Sequence, residues 1–95
     1  MTIIGIDPGI ARVGWGAIRI QDTGYRIQDV GCFETSKNDS LDQRLLSISI
    51  FLKGLFAKYK PDCVAVEQLY FATNAKTAIT VGQARGVIIL TASQA

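Results

Sequence analysis

The feature that most constrains the fold is a pair of short apolar segments that each stop at an acidic residue. The segment IIGI at 3–6 leads into Asp7, and the segment CVAV at 63–66 leads into Glu67. Short apolar runs bounded by turn residues are typical of buried strands, and the Pro-Gly pair after Asp7 favours a turn. Two ordinary surface turns would explain each acid separately. Their meaning therefore depends on where the two segments lie in the fold.

The remaining hydrophobic pattern predicts the element order βββαβα. The predicted strands span residues 2–7, 13–21, 25–35 and 63–66. Ser40 and Gln43 form a potential capping box for a helix whose apolar residues keep helical spacing until Pro61. A second helix is predicted from about Ala75 to the C-terminus, with Thr73 or Asn74 as its cap. This order indicates one small α/β domain with a mixed sheet.

The connections between these elements bring the two acids together. The first and third strands of a meander point the same way, and the helix returns the chain so that the fourth strand is parallel to them. If the fourth strand pairs with the first, Asp7 and Glu67 end neighbouring strands about 4.8 Å apart. Two-metal nuclease sites hold their ions about 3.5–4 Å apart, and open α/β sheets bind ligands at this edge. The placement favours a shared metal site over two unrelated turns.

Composition limits the chemistry that such a site can use. The chain contains no His, which excludes imidazole bases, Ser–His pairs and His-ligated zinc from these residues. Carboxylates remain, and they favour a hard cation such as Mg²⁺, with Mn²⁺ as a substitute. The net charge of +2 does not by itself indicate a nucleic-acid binder.

The cysteines and the absence of targeting patterns indicate the compartment. Cys32 and Cys63 lack the close spacing of a metal or redox motif, and we expect two free, buried thiols in a reducing cytoplasm. The sequence shows no signal-peptide pattern and no apolar run of membrane-spanning length. We therefore expect a cytoplasmic protein without a membrane partner.

Three segments resemble the signature segments of the RuvC family, the bacterial Holliday-junction resolvases of the RNase H-like superfamily. They are GIDPGIARVGWG at 5–16, VAVEQLYF at 64–71 and NAKTAITVGQARGV at 74–87. The resemblance spans nearly the whole chain in the family's order and spacing. It implies an RNase H-like fold and a Mg²⁺-dependent endonuclease that makes paired nicks in a four-way DNA junction. It also implies a homodimer and a partnership with a branch-migration helicase complex.

The resemblance implies roles for individual residues. Asp7 falls on the family's first catalytic, metal-binding carboxylate and Glu67 on the second, while Tyr70 falls on an aromatic position that stacks against junction bases. The family's other catalytic acids follow a fifth strand, whereas this chain ends at Ala95 inside the preceding helix. We therefore expect residues 1–95 to form a single nuclease domain, incomplete at its C-terminus and inactive alone.

Further residues are candidates for DNA contact. Tyr70 and Phe71 follow Glu67 closely, and aromatic rings can stack on bases, although capping of the core is an alternative. Isolated basic and polar residues can contact phosphates, although most are solvated surface. The candidates of this kind are Arg12, Asn74, Lys76 and Arg85.

Small residues form a stripe on the predicted last helix. They are Ala75, Ala78, Gly82 and Gly86. A Gly inside a helix costs about 1 kcal/mol relative to Ala, so two glycines four residues apart indicate a close packing partner. That partner is either the sheet of the same domain or a second subunit.

Two other functional classes remain open. Sugar kinases and actin-like ATPases also place an Asp and a Gly-rich turn after their first strand, although Pro8 and Glu67 argue against that class and its members need a longer chain. The second alternative is a non-catalytic RNase H-like module that binds DNA or only dimerises.

Overall fold

The chain folds into a four-stranded mixed sheet with two helices, in the predicted order. A computed structural model describes residues 1–68 and 75–95. The elements are β1 (Thr2–Asp7), β2 (Arg12–Gln21), β3 (Gly24–Glu34), α1 (Leu41–Tyr59), β4 (Cys63–Val66) and α2 (Ala75–Gln94). Neither helix is long and apolar enough, within the described residues, to cross a membrane.

The strand order is β3-β2-β1-β4, so the fourth strand pairs with the first. β1 is antiparallel to β2 and parallel to β4, and β2 is antiparallel to β3. The predicted topology is confirmed. Asp62 fixes the parallel register: its Oδ2 accepts from the Thr2 N–H at 2.8 Å, and its own N–H donates to the Thr2 carbonyl at 2.8 Å. Ile6 is thereby placed opposite Val66.

Both helices pack on the same face of the sheet. Side chains alternate between faces along a strand, and the residues of β1 and β2 that are buried on this face are apolar. α1 begins after Ser40, whose backbone N–H donates to Gln43 Oε1 at 3.4 Å, as expected for a capping box. The buried core consists of Ile4, Ile6, Val13, Ala17, Ile48, Leu52, Leu55, Phe56, Ala84 and Ile88.

The two cysteines depart from the prediction. They are free, as expected, but both are exposed, and the prediction of burial is wrong. Phe33 stacks on Phe51 of α1 with ring centroids 4.4 Å apart, so the adjacent Cys32 points to the opposite face of β3. Cys63 likewise adjoins Val64, which packs against the core. Alternation therefore places both thiols on the face that neither helix covers.

Tyr59 ties the end of α1 to the sheet. Its ring centroid lies 6.0 Å from that of Trp15, which is packed against the core. Its hydroxyl donates to Asp29 Oδ2 at 2.6 Å. This hydrogen bond lowers the pKa of Asp29 and raises the pKa of Tyr59.

Tyr59→Phe should remove a stabilisation that depends on pH. The lowered pKa of Asp29 means that its contribution is present above the ordinary value of 3.8 and is lost as the pH falls through the folded value. The raised pKa of Tyr59 means that its contribution is present below 10.0 and is lost as the pH rises through the folded value. We expect the variant to melt below wild type at neutral pH, with a difference that shrinks at both extremes. Tyr25→Phe, at a tyrosine that is 70% exposed, is the control, and a difference independent of pH would contradict the assignment.

Candidate active site

Asp7 and Glu67 lie together at one edge of the sheet. Asp7 is the last residue of β1, and Glu67 directly follows β4. The backbone N–H of Glu67 donates to the carbonyl of Ile6 at 3.0 Å, which closes the parallel ladder at the Ile6–Val66 pair. Both acidic residues are exposed. Two carboxyl groups on neighbouring strands are thus presented to solvent at the carboxyl edge of the sheet.

The two carboxyl groups interact directly. A hydrogen bond to the Asp7 side chain, together with the charge of Asp7, raises the pKa of Glu67. Paired carboxylates repel when both are ionised, and a cation between them relieves that repulsion. Their oxygens are the ligands that Mg²⁺ and Mn²⁺ prefer. The donor set therefore fits a hard divalent cation.

The described part of the chain contributes two ligands to such a site. No group of three or more His, Cys, Asp or Glu side chains that could hold a metal occurs within residues 1–68 and 75–95. Asp62, the other acid near β4, is at the opposite end of that strand, where it pairs with Thr2. Within residues 1–68 and 75–95, Asp7 and Glu67 are accordingly the acids that the neighbouring strands β1 and β4 bring together at this edge.

The turn after Asp7 is fixed by residues that the sequence pattern does not single out. The N–H of Thr35 donates to the Ala11 carbonyl at 3.0 Å, and its hydroxyl donates to the Ile10 carbonyl at 2.6 Å. Arg44 of α1 donates from Nε to the same hydroxyl oxygen at 2.8 Å. The turn is thereby tied to the end of β3 and to α1. A Thr after a strand and an Arg on a helix carry no pattern that would have predicted this role.

Gly9 and Arg12 complete this turn. A Cβ at Gly9 would overlap the backbone carbonyl of Arg12, so only glycine fits without a shift of the chain. The Arg12 side chain forms an ion pair with Glu34, with Nε and Oε1 3.4 Å apart. The side chains are 74% and 65% exposed, so this pair adds little stability. The guanidinium remains at the surface beside the turn.

α2 reaches the site through Arg85. Its Nε donates to the backbone carbonyl of Glu67 at 3.1 Å. The predicted small-residue stripe faces elsewhere, because Gly82 and Gly86 are exposed. Apart from the adjacent residues and the neighbouring backbone of α2, no described atom lies within 4 Å of the Cβ position of either glycine. Within the described chain, the sheet is therefore not the packing partner of these two glycines.

The other predicted DNA contacts fall outside what the structure describes. Tyr70, Phe71 and Asn74 lie outside the described residues. Lys76 is in the first turn of α2, and its side chain is also outside them. The residues that the structure does bring together are Asp7, Glu67 and Arg85, with Arg12 at the start of β2.

Comparison with known proteins agrees with this architecture. A family profile described as "Crossover junction endodeoxyribonuclease RuvC" matches residues 3–95. A curated protein with that name from Petrotoga mobilis is 50% identical over 90 residues, which cover 95% of this chain and 55% of the relative. The protein of the same name from Halothermothrix orenii is 51% identical, with 100% of this chain and 58% of the relative covered. The chain spans somewhat more than half the length of these relatives.

A solved structure shares the fold. The structure described as "T. thermophilus RuvC in complex with Holliday junction substrate" superposes with a TM-score of 0.90 at 26% sequence identity. The match covers 99% of this chain and 60% of that one. The similarity confirms the predicted RNase H-like α/β fold with a mixed sheet.

Proposed function

Because the chain belongs to the RuvC family of crossover junction endodeoxyribonucleases, we propose that it supplies two catalytic carboxylates of a nuclease that resolves four-way DNA junctions. The reaction is paired phosphodiester hydrolysis, in recombination and repair. The observation that carries this proposal is the contact between Asp7 and Glu67 at the carboxyl edge of the sheet. The similarity to a protein described in complex with a Holliday junction supports the substrate class.

Asp7 and Glu67 would hold Mg²⁺, or Mn²⁺ in its place. A cation bound there supplies charge stabilisation at the phosphate and lowers the pKa of an attacking water. The chain's own residues contribute the geometry. Glu67 is held to β1 through its N–H, the turn after Asp7 is held by Thr35, and Arg12 lies beside that turn to contact a phosphate.

Aromatic and polar residues after Glu67 are proposed to engage the DNA. Tyr70 and Phe71 follow the acid within four positions, which would bring their rings near the cleaved strand. Stacking of a base on an aromatic ring contributes about 1–3 kcal/mol. Asn74, which precedes α2 in the sequence, and Lys76, in its first turn, are proposed as polar contacts to the DNA backbone.

A junction assay tests this function. Because the relatives are longer, it uses the full-length protein, meaning a polypeptide of the relatives' length that contains residues 1–95. We expect paired nicks in a labelled four-way junction with Mg²⁺ or Mn²⁺, none in a duplex of the same sequence, and none with chelator. Equal cleavage of the duplex would contradict the substrate class, and ATP binding in calorimetry would favour the actin-like alternative.

The 95-residue polypeptide is proposed to be inert in the same assay. Two carboxylates can hold one hydrated cation, since Mg²⁺ gives up its water ligands reluctantly, but they do not complete a two-ion clamp. Nicking by this polypeptide that Asp7→Asn abolishes would contradict the proposal. Inert behaviour of the full-length protein as well would favour a non-catalytic module.

The exposed face of α2 is proposed to bind a second copy of the chain. Ile79 and Leu90 are 63% and 58% exposed, and with Gly82 and Gly86 they recur at helical spacing. The glycines allow a second helix to approach closely. A homodimer would bring two sites to one junction, as paired nicks require. The helicase partner is proposed from family resemblance alone, and the cytoplasmic location from the cysteine usage and the sequence pattern.

Gly86→Gln should convert a full-length dimer into a monomer at micromolar concentration. The longer side chain blocks close approach, while Gln favours a helix more than Gly does, so the fold should survive. Gly54→Gln makes the same change on the exposed side of α1, in open space, and should leave the dimer intact. Sedimentation velocity measures the difference. A dimeric Gly86→Gln variant would place the interface elsewhere.

A further inference from the structure

We propose that Arg85 is a positioning residue that holds Glu67 in its catalytic orientation. The inference rests on the proposed nuclease function. Arg85 Nε donates to the backbone carbonyl of Glu67 at 3.1 Å. A guanidinium next to a catalytic acid could instead bind a phosphate, but this hydrogen bond directs Nε to the backbone carbonyl of the acid itself.

Both backbone polar groups of Glu67 are held by different elements. Its N–H donates to the carbonyl of Ile6 at 3.0 Å, the residue immediately before Asp7. The ladder between β1 and β4 ends at the Ile6–Val66 pair, so the Glu67 carbonyl lies where the chain leaves the sheet. Arg85 supplies the hydrogen bond at that point. Because the peptide groups on both sides of its Cα are hydrogen-bonded, the backbone from which the Glu67 side chain extends is fixed relative to Asp7.

The helix that presents Arg85 is itself firmly held. Ala84 and Ile88, which flank it, are fully buried in the core. One helical turn further, Thr91 is 2% exposed, and its hydroxyl lies 2.9 Å from that of Ser49 on α1. Groups on rigid elements position a site more precisely than groups on loops. Through Arg85, a helix anchored in the core thus holds the backbone of an acid 18 residues earlier in the sequence.

The two possible roles of Arg85 predict different kinetics. A phosphate contact contributes to DNA affinity, so its loss weakens junction binding. A positioning residue acts on the arrangement of Asp7 and Glu67, so its loss lowers the cleavage rate when all DNA is bound. Removal of a partner that orients a metal ligand typically costs about 10–100-fold in activity. The decisive measurement is therefore the single-turnover rate at saturating protein, beside the junction affinity in Ca²⁺.

The experiment uses full-length Arg85→Met, which keeps the aliphatic stem and removes the donor. We expect a rate about 10–100-fold below wild type, a junction affinity within about twofold, and an unchanged melting temperature at the assay condition. Arg85→Lys, which keeps a cation and a donor, should give an intermediate rate. Arg26→Met is the control, because Arg26 is exposed and lies far from Asp7. It is opposite Arg19 in the β2–β3 register, at the other end of the sheet. Its rate should equal that of wild type.

A wild-type rate for Arg85→Met at saturation, with weakened binding, would overturn the inference in favour of a phosphate contact. Should this variant fail to fold, Arg85→Lys decides alone: a reduced rate at unchanged affinity is expected, and a wild-type rate overturns the inference. Failure of the proposed function itself would look different, because wild-type protein would then not cleave the junction at all.

Discussion

Asp7→Asn in the full-length protein should lower the rate of junction cleavage by about 10³-fold or more at saturating DNA, and Glu67→Gln should do the same. A cation held by the two carboxylates contributes several kcal/mol to the transition state, and 1.36 kcal/mol corresponds to a factor of ten. Each amide keeps the size of the side chain but loses the charge that holds the cation. The measurement is the single-turnover cleavage rate of a labelled junction in Mg²⁺.

Measuring junction affinity distinguishes a loss of catalysis from misfolding of the variant. Asp7→Asn removes a negative charge from the exposed edge at which DNA is proposed to bind, so junction affinity in Ca²⁺-free buffer should not fall. Asp22→Asn, in the exposed link between β2 and β3, is the matched control and should cleave at the wild-type rate. Cleavage by Asp7→Asn within tenfold of wild type at low Mg²⁺ would rule out the assigned site.

The position of this pair could be predicted because it follows from chain connectivity. Each apolar run is short and stops at its acid, which identifies both the strand and the end at which the acid lies. The α1 crossover makes β4 parallel to β1, and the register set by Asp62 brings Asp7 and Glu67 to the same level. Local pattern and topology were sufficient for this part of the site.

Other features could not be predicted because they depend on how elements pack. The rotation of α2 about its axis is set by Ala84 and Ile88 in the core, and that rotation aims Arg85 at Glu67. The regular glycine spacing indicates a different face of the same helix. Cysteine is a residue type that is often buried, but Cys32 is exposed because the helices cover only the other face of the sheet. Side-chain direction and tertiary packing, rather than residue type, decided these cases.

Gly9→Ala should lower the cleavage rate of the full-length protein by about 100-fold and also lower its melting temperature. The added Cβ overlaps the backbone carbonyl of Arg12, and no rotation of a side chain can relieve a clash with backbone. Thr35 holds the far side of the turn through the carbonyls of Ile10 and Ala11. Relieving the clash must therefore break those hydrogen bonds or displace the part of the turn that adjoins Asp7. A misplacement of a catalytic group by about 1 Å can cost about 10²-fold in rate.

The matched control for this variant is Gly54→Ala, on α1. Apart from the adjacent residues and the neighbouring backbone of α1, no described atom lies within 4 Å of the Cβ position of Gly54. The substitution should therefore raise helix stability by about 1 kcal/mol and leave cleavage unchanged. Thermal melting and single-turnover rates of both variants separate loss of the turn from a general effect of adding a methyl group. If Gly9→Ala melts and cleaves like wild type, the turn after Asp7 accommodates a side chain, and its geometry does not position the acid.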